Sequence, residues 1–269
     1  MTWESRGDRG RRALHPQQSI RGDRPEGACS RLRITLHPQQ FREPMKILKL
    51  LLLPYMAAVV AAAFLWPEPA KGFLGESSRI VFFHVPCAWT AALAFLVAAG
   101  YSVAWLVRRN PHDDEVAQTA VRLGLLFAVL TLLTGSLFAK IMWGSYWNWD
   151  PRESSYLLLV FLYSAYLFLR AAVDDPERRA RIASAYAVFA VVLMPFLVFV
   201  VPRVTASLHP QTVINPEGKV LMDGPTKTVF FAALAAFTGL FFWMLELESR
   251  LLRLRRRLIS ASSPDRLSP

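Results

Sequence analysis

Two histidines and one tryptophan-rich segment carry the residue types that are best suited to chemistry in this chain. His84 stands at the start of one apolar run, and His209 follows the end of another. Residues 143–154 connect two further apolar runs and contain three of the eight tryptophans. Imidazole nitrogens bind transition metals, and indole rings offer rigid, flat surface. The two imidazoles therefore suit the two axial positions of a haem iron, with tryptophans against the porphyrin.

Simpler roles stay open for both features. An isolated histidine near a helix end is more often a capping or hydrogen-bonding group than a metal ligand. Tryptophans are also typical of the interface between membrane and water, where they anchor helix ends. Zinc fits less well than haem iron, because it needs three or four protein ligands and no third histidine, cysteine or carboxylate is obviously placed for it.

Other residues near the two histidines and the tryptophan-rich segment are further candidates for contacts with haem. Ionisable groups at membrane depth are costly and usually functional, which favours the metal role for His84 and His209. The predicted platform for the porphyrin consists of Trp143, Trp147 and Trp149. The cations predicted to meet the haem propionates are Arg79, Arg152 and Arg203, with Lys140 as a further candidate. Snorkelling of a long cationic side chain toward water is the alternative role for each of them.

The latter half of the tryptophan-rich segment has the pattern of a helix start. Asp150 would be the N-cap, Pro151 would take the first helical position, and Glu153 the third. We therefore interpret Asp150 and Glu153 as a structural cap that fixes the angle of the tryptophan cluster. Arg152 would then project from the first turn, where it is free to meet an anion.

Composition indicates an all-α membrane protein. The chain has 269 residues, of which 54% are apolar, and the apolar residues form blocks rather than amphipathic patterns. Blocks of about 20 residues are long enough to cross the hydrocarbon core as helices. Six transmembrane helices are predicted, at about 47–66, 79–107, 120–142, 154–173, 182–201 and 226–247.

The distribution of positive charge predicts the orientation of these spans. Arginine and lysine cluster before span one, after spans two and four, and after span six, whereas the opposite connections carry fewer of them. By the positive-inside rule, both termini are cytoplasmic and the tryptophan-rich segment faces outward. His112, which neighbours three acidic residues, is expected in a loop on the cytoplasmic side with a solvated surface role.

Three regions are predicted along the chain. Residues 1–44 are rich in Arg, Pro and Gln without apolar periodicity, which indicates disorder or an extension from a mis-assigned start codon ahead of Met45. Residues 45–249 would form the six-helix membrane domain, and residues 250–269 a basic cytoplasmic tail. The net charge of +11 is interpreted as topology and attraction to membrane lipid, and no nucleic-acid partner is expected.

The chain resembles the haem-handling membrane proteins of cytochrome c biogenesis. Their mark is a segment Trp-Gly-x-x-Trp-x-Trp-Asp flanked by two histidines, and residues 143–150 match it throughout. The segment of one flanking histidine matches at residues 83–89, and that of the other is similar at Leu208-His209, with Thr212 shortly after. With six predicted spans, the chain is most similar to the haem-delivery protein C branch of cytochrome c maturation (CcmC type).

That resemblance implies a haem transfer factor rather than a conventional enzyme. Such a protein would hold haem b at the outer face of the bacterial inner membrane. It would pass the haem to a periplasmic haem chaperone during maturation of c-type cytochromes. The implied partners are the subunits of an ATP-binding-cassette transporter and a small single-span membrane protein.

Two other functions stay open. The sequence Pro151-Arg152-Glu153 is similar to the related cytochrome c synthase branch, in which haem is attached directly to apocytochrome c. That branch generally has more spans, so the length of this chain favours delivery. A transporter of another substrate, with the tryptophan cluster as a gate, is the other alternative.

Overall fold

The computed structural model describes the backbone of residues 42–210 and 221–262, and helices dominate it. In chain order the α-helices are α1 (Arg42–Leu65), α2 (His84–Arg108), α3 (Pro111–Trp143), α4 (Pro151–Ala171), α5 (Pro176–Pro195), α6 (Val201–Val204) and α7 (Gly224–Ser262). A 3-10 helix (Glu76–Phe82) leads into α2, and a π-helical turn (Phe196–Val200) joins α5 to α6. The predicted all-α class is confirmed.

Five helical segments in the described part of the chain are long and apolar enough to cross a membrane. They are Glu76–Arg108, Pro111–Trp143, Pro151–Ala171, Pro176–Val204 and Gly224–Arg255, and α1 adds a shorter apolar stretch at Lys49–Leu65. Because an α-helix rises about 1.5 Å per residue, even the shortest of the five reaches about 30 Å, the thickness of the hydrocarbon core. The architecture is that of a polytopic membrane protein with five to six apolar helices.

The two ends of the bundle differ in composition. At one end α2 begins with His84, α3 ends with Trp143 and α4 begins with Pro151. We call it the histidine end. At the opposite end α2 finishes with Arg108 and α4 carries Arg170 in its last turn. We call it the arginine end, and α7 runs toward it from the histidine end.

The centre of the bundle is α2, which packs against α3, α5 and α7. Its small side chains let neighbouring helix backbones approach closely, and Ala91, Ala94 and Ala98 have no exposed surface. The ring of Phe95 stacks on Tyr163 of α4 with 3.5 Å between centroids. A Cβ on Gly124 of α3 would lie 2.6 Å from the same phenylalanine ring, so glycine is required there.

The start of α3 differs from the prediction. The expected loop around His112 is wrong, because α3 begins at Pro111 and includes this histidine in its first turn. The side chain of Asn110 accepts a hydrogen bond from the backbone N–H of His112 at 3.1 Å, and proline at the first helical position is pre-set for a helix. The imidazole also differs from the predicted solvated surface group, since Arg253 of α7 donates a 2.7 Å hydrogen bond to its Nε2.

Two other predictions fall at the ends of the described chain. The helix α7 continues to Ser262, well beyond the predicted end of the last span near residue 247. The predicted basic tail, residues 250–269, therefore begins as part of a continuous helix. The predictions for residues 1–44 lie outside the described residues, apart from the first turn of α1, and so does Thr212.

Candidate functional site

The structure brings the two histidines together at the histidine end. His84 is the first residue of α2, one residue after the 3-10 helix, and His209 follows α6 in an irregular segment. Their ring centroids are 6.1 Å apart and their planes differ by 36°. Both side chains are half-buried. Helix packing thus places two imidazoles from distant parts of the sequence beside each other.

The ring of His84 is oriented by α3. Its Nδ1 lies 2.9 Å from Oγ1 of Thr134, and that hydroxyl donates its own hydrogen to the backbone carbonyl of Leu130 at 2.8 Å. The network therefore assigns the His84 proton to Nδ1, which leaves Nε2 as the nitrogen with a free lone pair. Gly135 makes room for the ring, because a Cβ there would lie 3.0 Å from Cε1 of His84.

His209 is held through its backbone. Its N–H donates to Oγ of Ser207 at 3.2 Å, and its ring packs against Trp143 at a centroid distance of 6.0 Å. Nδ1 of His209 is buried and has no hydrogen-bond partner among the residues that the structure describes. Burial, followed by the positive charge of Arg152, lowers the pKa of His209 to about 4. The imidazole is therefore neutral at physiological pH, which is the form that binds metals.

Asp150 connects the tryptophan-rich segment to the segment that carries His209. As N-cap of α4, its Oδ1 accepts the backbone N–H of Arg152 at 2.9 Å. The same carboxylate accepts the Ser207 hydroxyl at 3.0 Å and the Leu208 N–H at 2.7 Å. Glu153 accepts the N–H of Asn148 at 2.9 Å and so folds the segment back onto α4. The sequence indicated the cap but gave no local signal for the ties to residues 207 and 208.

The three tryptophans take different positions. Trp143 ends α3 and stands edge-on to Phe138 at 5.6 Å, so that both rings flank His209. Trp147 is half-buried and lines the cavity beside the histidines. Trp149 is 77% exposed and packs edge-to-face on Trp147 at 5.9 Å. The tryptophans therefore do not form one continuous wall, and most of the Trp149 ring is exposed.

A cavity of about 530 Å³ opens beside the two histidines. This volume is within the range of sites for small molecules and cofactors, about 300–1,000 Å³. Its apolar wall comes from the 3-10 helix, α2, α3 and the π-helical turn, with Val81, Leu132 and Val198 among the lining residues. Its lining cations include Arg79, Arg152 and Arg203.

These candidate cations differ in how many of their hydrogen-bond donors already have partners within the protein. Arg79 donates to Glu76 at 2.6 Å and to two backbone carbonyls, which largely satisfies its guanidinium. Arg203 donates one hydrogen bond to the carbonyl of Phe199 at 2.8 Å. Nε of Arg152 is buried and lacks a partner within residues 42–210 and 221–262. Lys140 bonds to the carbonyl of Gly144 at 2.8 Å and does not line the cavity.

Fold and site together define a class: polytopic helical membrane proteins with a two-histidine, arginine-bearing cavity at one end of the bundle. Comparison with known families then gives the particular one. The profile of the family described as CcmC, heme exporter protein C, matches residues 33–263, so the chain belongs to that family. The predicted resemblance to the haem-handling proteins of cytochrome c biogenesis is confirmed at the level of the family.

Individual relatives agree with this assignment. The chain is 34% identical over 196 residues to heme exporter protein C of Bradyrhizobium diazoefficiens, covering 72% of this chain and 74% of that protein. It is 28% identical over 229 residues to heme exporter protein C of Paracoccus denitrificans, covering 81% and 94%. It is also 31% identical over 190 residues to a putative cytochrome c biosynthesis ccmC-like mitochondrial protein of Marchantia polymorpha, covering 70% and 80%.

Proposed function

We propose that this protein binds haem b between His84 and His209 and delivers it to a periplasmic haem chaperone during maturation of c-type cytochromes. The observation that carries the proposal is the pair of imidazoles 6.1 Å apart beside a cavity of about 530 Å³. Membership of the heme exporter protein C family supports haem as the ligand. In this proposal the protein is a transfer factor, which holds haem and then releases it, rather than a conventional enzyme.

Two histidine ligands from the protein are enough for a haem iron, because the porphyrin supplies the other ligands. Two imidazoles bonded through one nitrogen each to a shared metal, at about 2 Å, place their ring centroids roughly 6 Å apart. In the described part of the chain, no group of three or more His, Cys, Asp or Glu residues could hold a bare metal ion. Haem supplies four equatorial nitrogens to its iron, so two axial histidines complete the coordination.

The arginines supply the charge that haem propionates need. Arg152 and Arg203 both face the cavity, and two like charges near one site are stabilised when an anion lies between them. The buried, unpaired Nε of Arg152 is an unused donor that a carboxylate would satisfy. Arg79 is a weaker third candidate, because Glu76 and backbone carbonyls already occupy its guanidinium.

The tryptophans divide the remaining work. Trp147 lines the cavity and would lie against a porphyrin bound there, and Trp143 supports the ring of His209. Trp149, which is exposed, offers the haem chaperone an aromatic surface to dock on while the vinyl edge of haem is accessible. The cap formed by Asp150 and Glu153 fixes the angle of this surface.

Charge supports an orientation in the bacterial inner membrane. The arginine end carries the basic clusters, so it faces the cytoplasm and the histidine end faces the periplasm. With the shorter apolar stretch of α1 counted as a span, the proposal has six spans, and the positive-inside rule then puts both termini in the cytoplasm. The protein then works with the subunits of an ATP-binding-cassette transporter and a small single-span membrane protein.

The test is an absorption spectrum of the full-length protein purified in detergent. We expect His84→Ala and His209→Ala each to lower haem content and remove the bis-histidine spectrum, because each removes one axial ligand. His112→Ala is the matched control, since this histidine lies at the arginine end and should leave haem unchanged. If both ligand variants kept wild-type haem content and spectrum, the assignment would fail.

A further inference from the structure

The last part of α7 presents a stripe of exposed leucines. Leu247, Leu251, Leu254 and Leu258 follow one another at spacings of four, three and four residues, which places them on one face of a helix. Leu254 and Leu258 remain 54% and 71% exposed. Large apolar side chains repeated along one helix face are typical of a surface that packs against another helix.

The membrane cannot cover the whole stripe. Glu246 forms ion pairs with Lys49 of α1 and with Arg250, and Glu248 lies 3.2 Å from Arg122 of α3. Such a layer of ionised groups marks the limit of the hydrocarbon core, because charges inside it are costly. The headgroup layer beyond is about 5–8 Å thick.

Leu254 and Leu258 lie farther out than this layer. At about 1.5 Å per residue, they stand about 10 Å and about 16 Å beyond Leu247 along the helix axis. The hydrogen bond from Arg253 to Nε2 of His112 holds this part of α7 against the start of α3. The outer half of the stripe is therefore fixed in water, where exposed leucines are unfavourable without a partner.

Charge argues against another copy of this chain as that partner. Two copies in one membrane share an orientation, so their α7 helices would pair in parallel. With leucines at the a and d positions, Arg250 takes a g position and Arg255 an e position. Parallel pairing brings the g residue of one helix beside the next e residue of the other, which would set arginine against arginine.

We propose that residues 247–258 of α7 are a docking helix for another protein, whose own amphipathic helix carries leucine-like residues flanked by carboxylates. The leucine stripe supplies the buried surface, and Arg255 attracts an acidic partner, together with Arg250, whose pair with Glu246 leaves its side chain half exposed. This surface is at the arginine end, so it is separate from the haem cavity.

The test uses the full chain in nanodiscs of phosphatidylcholine and a synthetic helical peptide with Leu at a and d and Glu at e and g. A second peptide, with Lys in place of Glu, is the control for charge. We expect the acidic peptide to bind and to protect residues 247–262 from hydrogen exchange. Leu254→Ser combined with Leu258→Ser should weaken binding at least about tenfold, because both buried anchors are lost.

Charge reversal provides the other arm of the test. Arg250→Glu combined with Arg255→Glu should transfer binding from the acidic peptide to the lysine peptide, whereas Arg108→Glu at the end of α2 should change nothing. The haem spectrum of all variants should match the wild type. Equal binding of both peptides, no binding of the acidic one, or indifference to the leucine substitutions would overturn the proposal. So would protection of residues 251–262 by phosphatidylglycerol nanodiscs alone, which would make lipid the partner.

Discussion

At the residue scale, the site depends on groups that carry more than one bond. Asp150 is recognisable from sequence as a helix cap, because Asp before Pro is a common helix start. Its bonds to Ser207 and Leu208 join positions 57 and 58 residues apart, and no local pattern indicates them. The histidines and Arg152 could be named from residue type, but only the fold shows which cation keeps an unused donor.

Asp150→Asn should reduce haem binding more than a loss of helix capping explains. The substitution removes the charge from the bonds that hold residues 207 and 208, so His209 is less well positioned. Loss of a residue that orients a metal ligand typically costs about 10- to 100-fold in affinity. Haem titration with absorption detection measures this loss.

The matched control is Asp175→Asn. Asp175 caps α5 through a 2.7 Å bond from the N–H of Arg178, far from the cavity. Asn caps a helix about as well as Asp, so Asp175→Asn should leave the free energy of unfolding and the haem affinity nearly unchanged. Equal haem affinity in the two variants would refute the positioning role of Asp150.

The neutral state of His209 predicts a pH dependence of stability. Its pKa is about 4 in the folded protein, against 6.5 for a free side chain. Between these values the unfolded chain binds more protons, so the free energy of unfolding should rise with pH across this window. We expect the free energy of unfolding of the haem-free protein, measured with denaturant, to rise less between pH 4.5 and pH 6.5 in His209→Gln than in the wild type. An unchanged rise would contradict the burial of a neutral His209.

At the element scale, hydropathy locates the long helices but fails at their ends. It places the start of α3 too late, because the first turns of this helix carry acidic residues that lower the apolar average. Asn110 and Pro111 do indicate the true start of α3, because Asn is a common N-cap and Pro is common at the first helical position. It places the end of α7 too early, because arginines mark the edge of a membrane without ending a helix.

The contact between α2 and α3 makes a packing prediction. Gly124→Ala places a Cβ 2.6 Å from the ring of Phe95, which is itself stacked on Tyr163 and has little freedom to move. Overpacking of this kind should lower the free energy of unfolding by about 1–3 kcal/mol. Gly100→Ala on α2 is the control, because a Cβ there meets nothing within 4 Å. Thermal unfolding should show destabilisation only for Gly124→Ala, and equal midpoints would contradict the close approach.

At the scale of the whole molecule, the two ends are built differently. The described part of the arginine end is joined by ion pairs between helices, including a bidentate pair at 2.6 Å and 2.8 Å between Arg170 of α4 and Asp114 of α3. Buried polar atoms without partners among the described residues occur at both ends, but at the histidine end they include Nδ1 of His209 and Nε of Arg152, two residues that line the cavity. Unpaired groups lower stability but leave donors and acceptors for a ligand.

The ion pair at the arginine end should contribute strongly to stability. Arg170→Met would leave the Asp114 carboxylate buried without its partner, since the side chains of the pair are only 6% and 13% exposed. Breaking one side of a buried pair typically costs about 3–5 kcal/mol. The exposed pair of Arg181 and Glu177 gives the control, because Glu177→Gln should cost at most about 1 kcal/mol. Similar losses in denaturant unfolding would contradict this difference.

The double use of the Asp150 carboxylate has a kinetic consequence. One side chain closes the first turn of α4 and holds the segment before His209, so fraying of that turn and departure of the histidine are a single opening event. The rate at which haem leaves would then equal the frequency of this opening multiplied by the chance of escape before reclosure. Under the proposed function, a chaperone that docks on the exposed Trp149, the residue before Asp150, would raise that frequency without contacting His84 or His209.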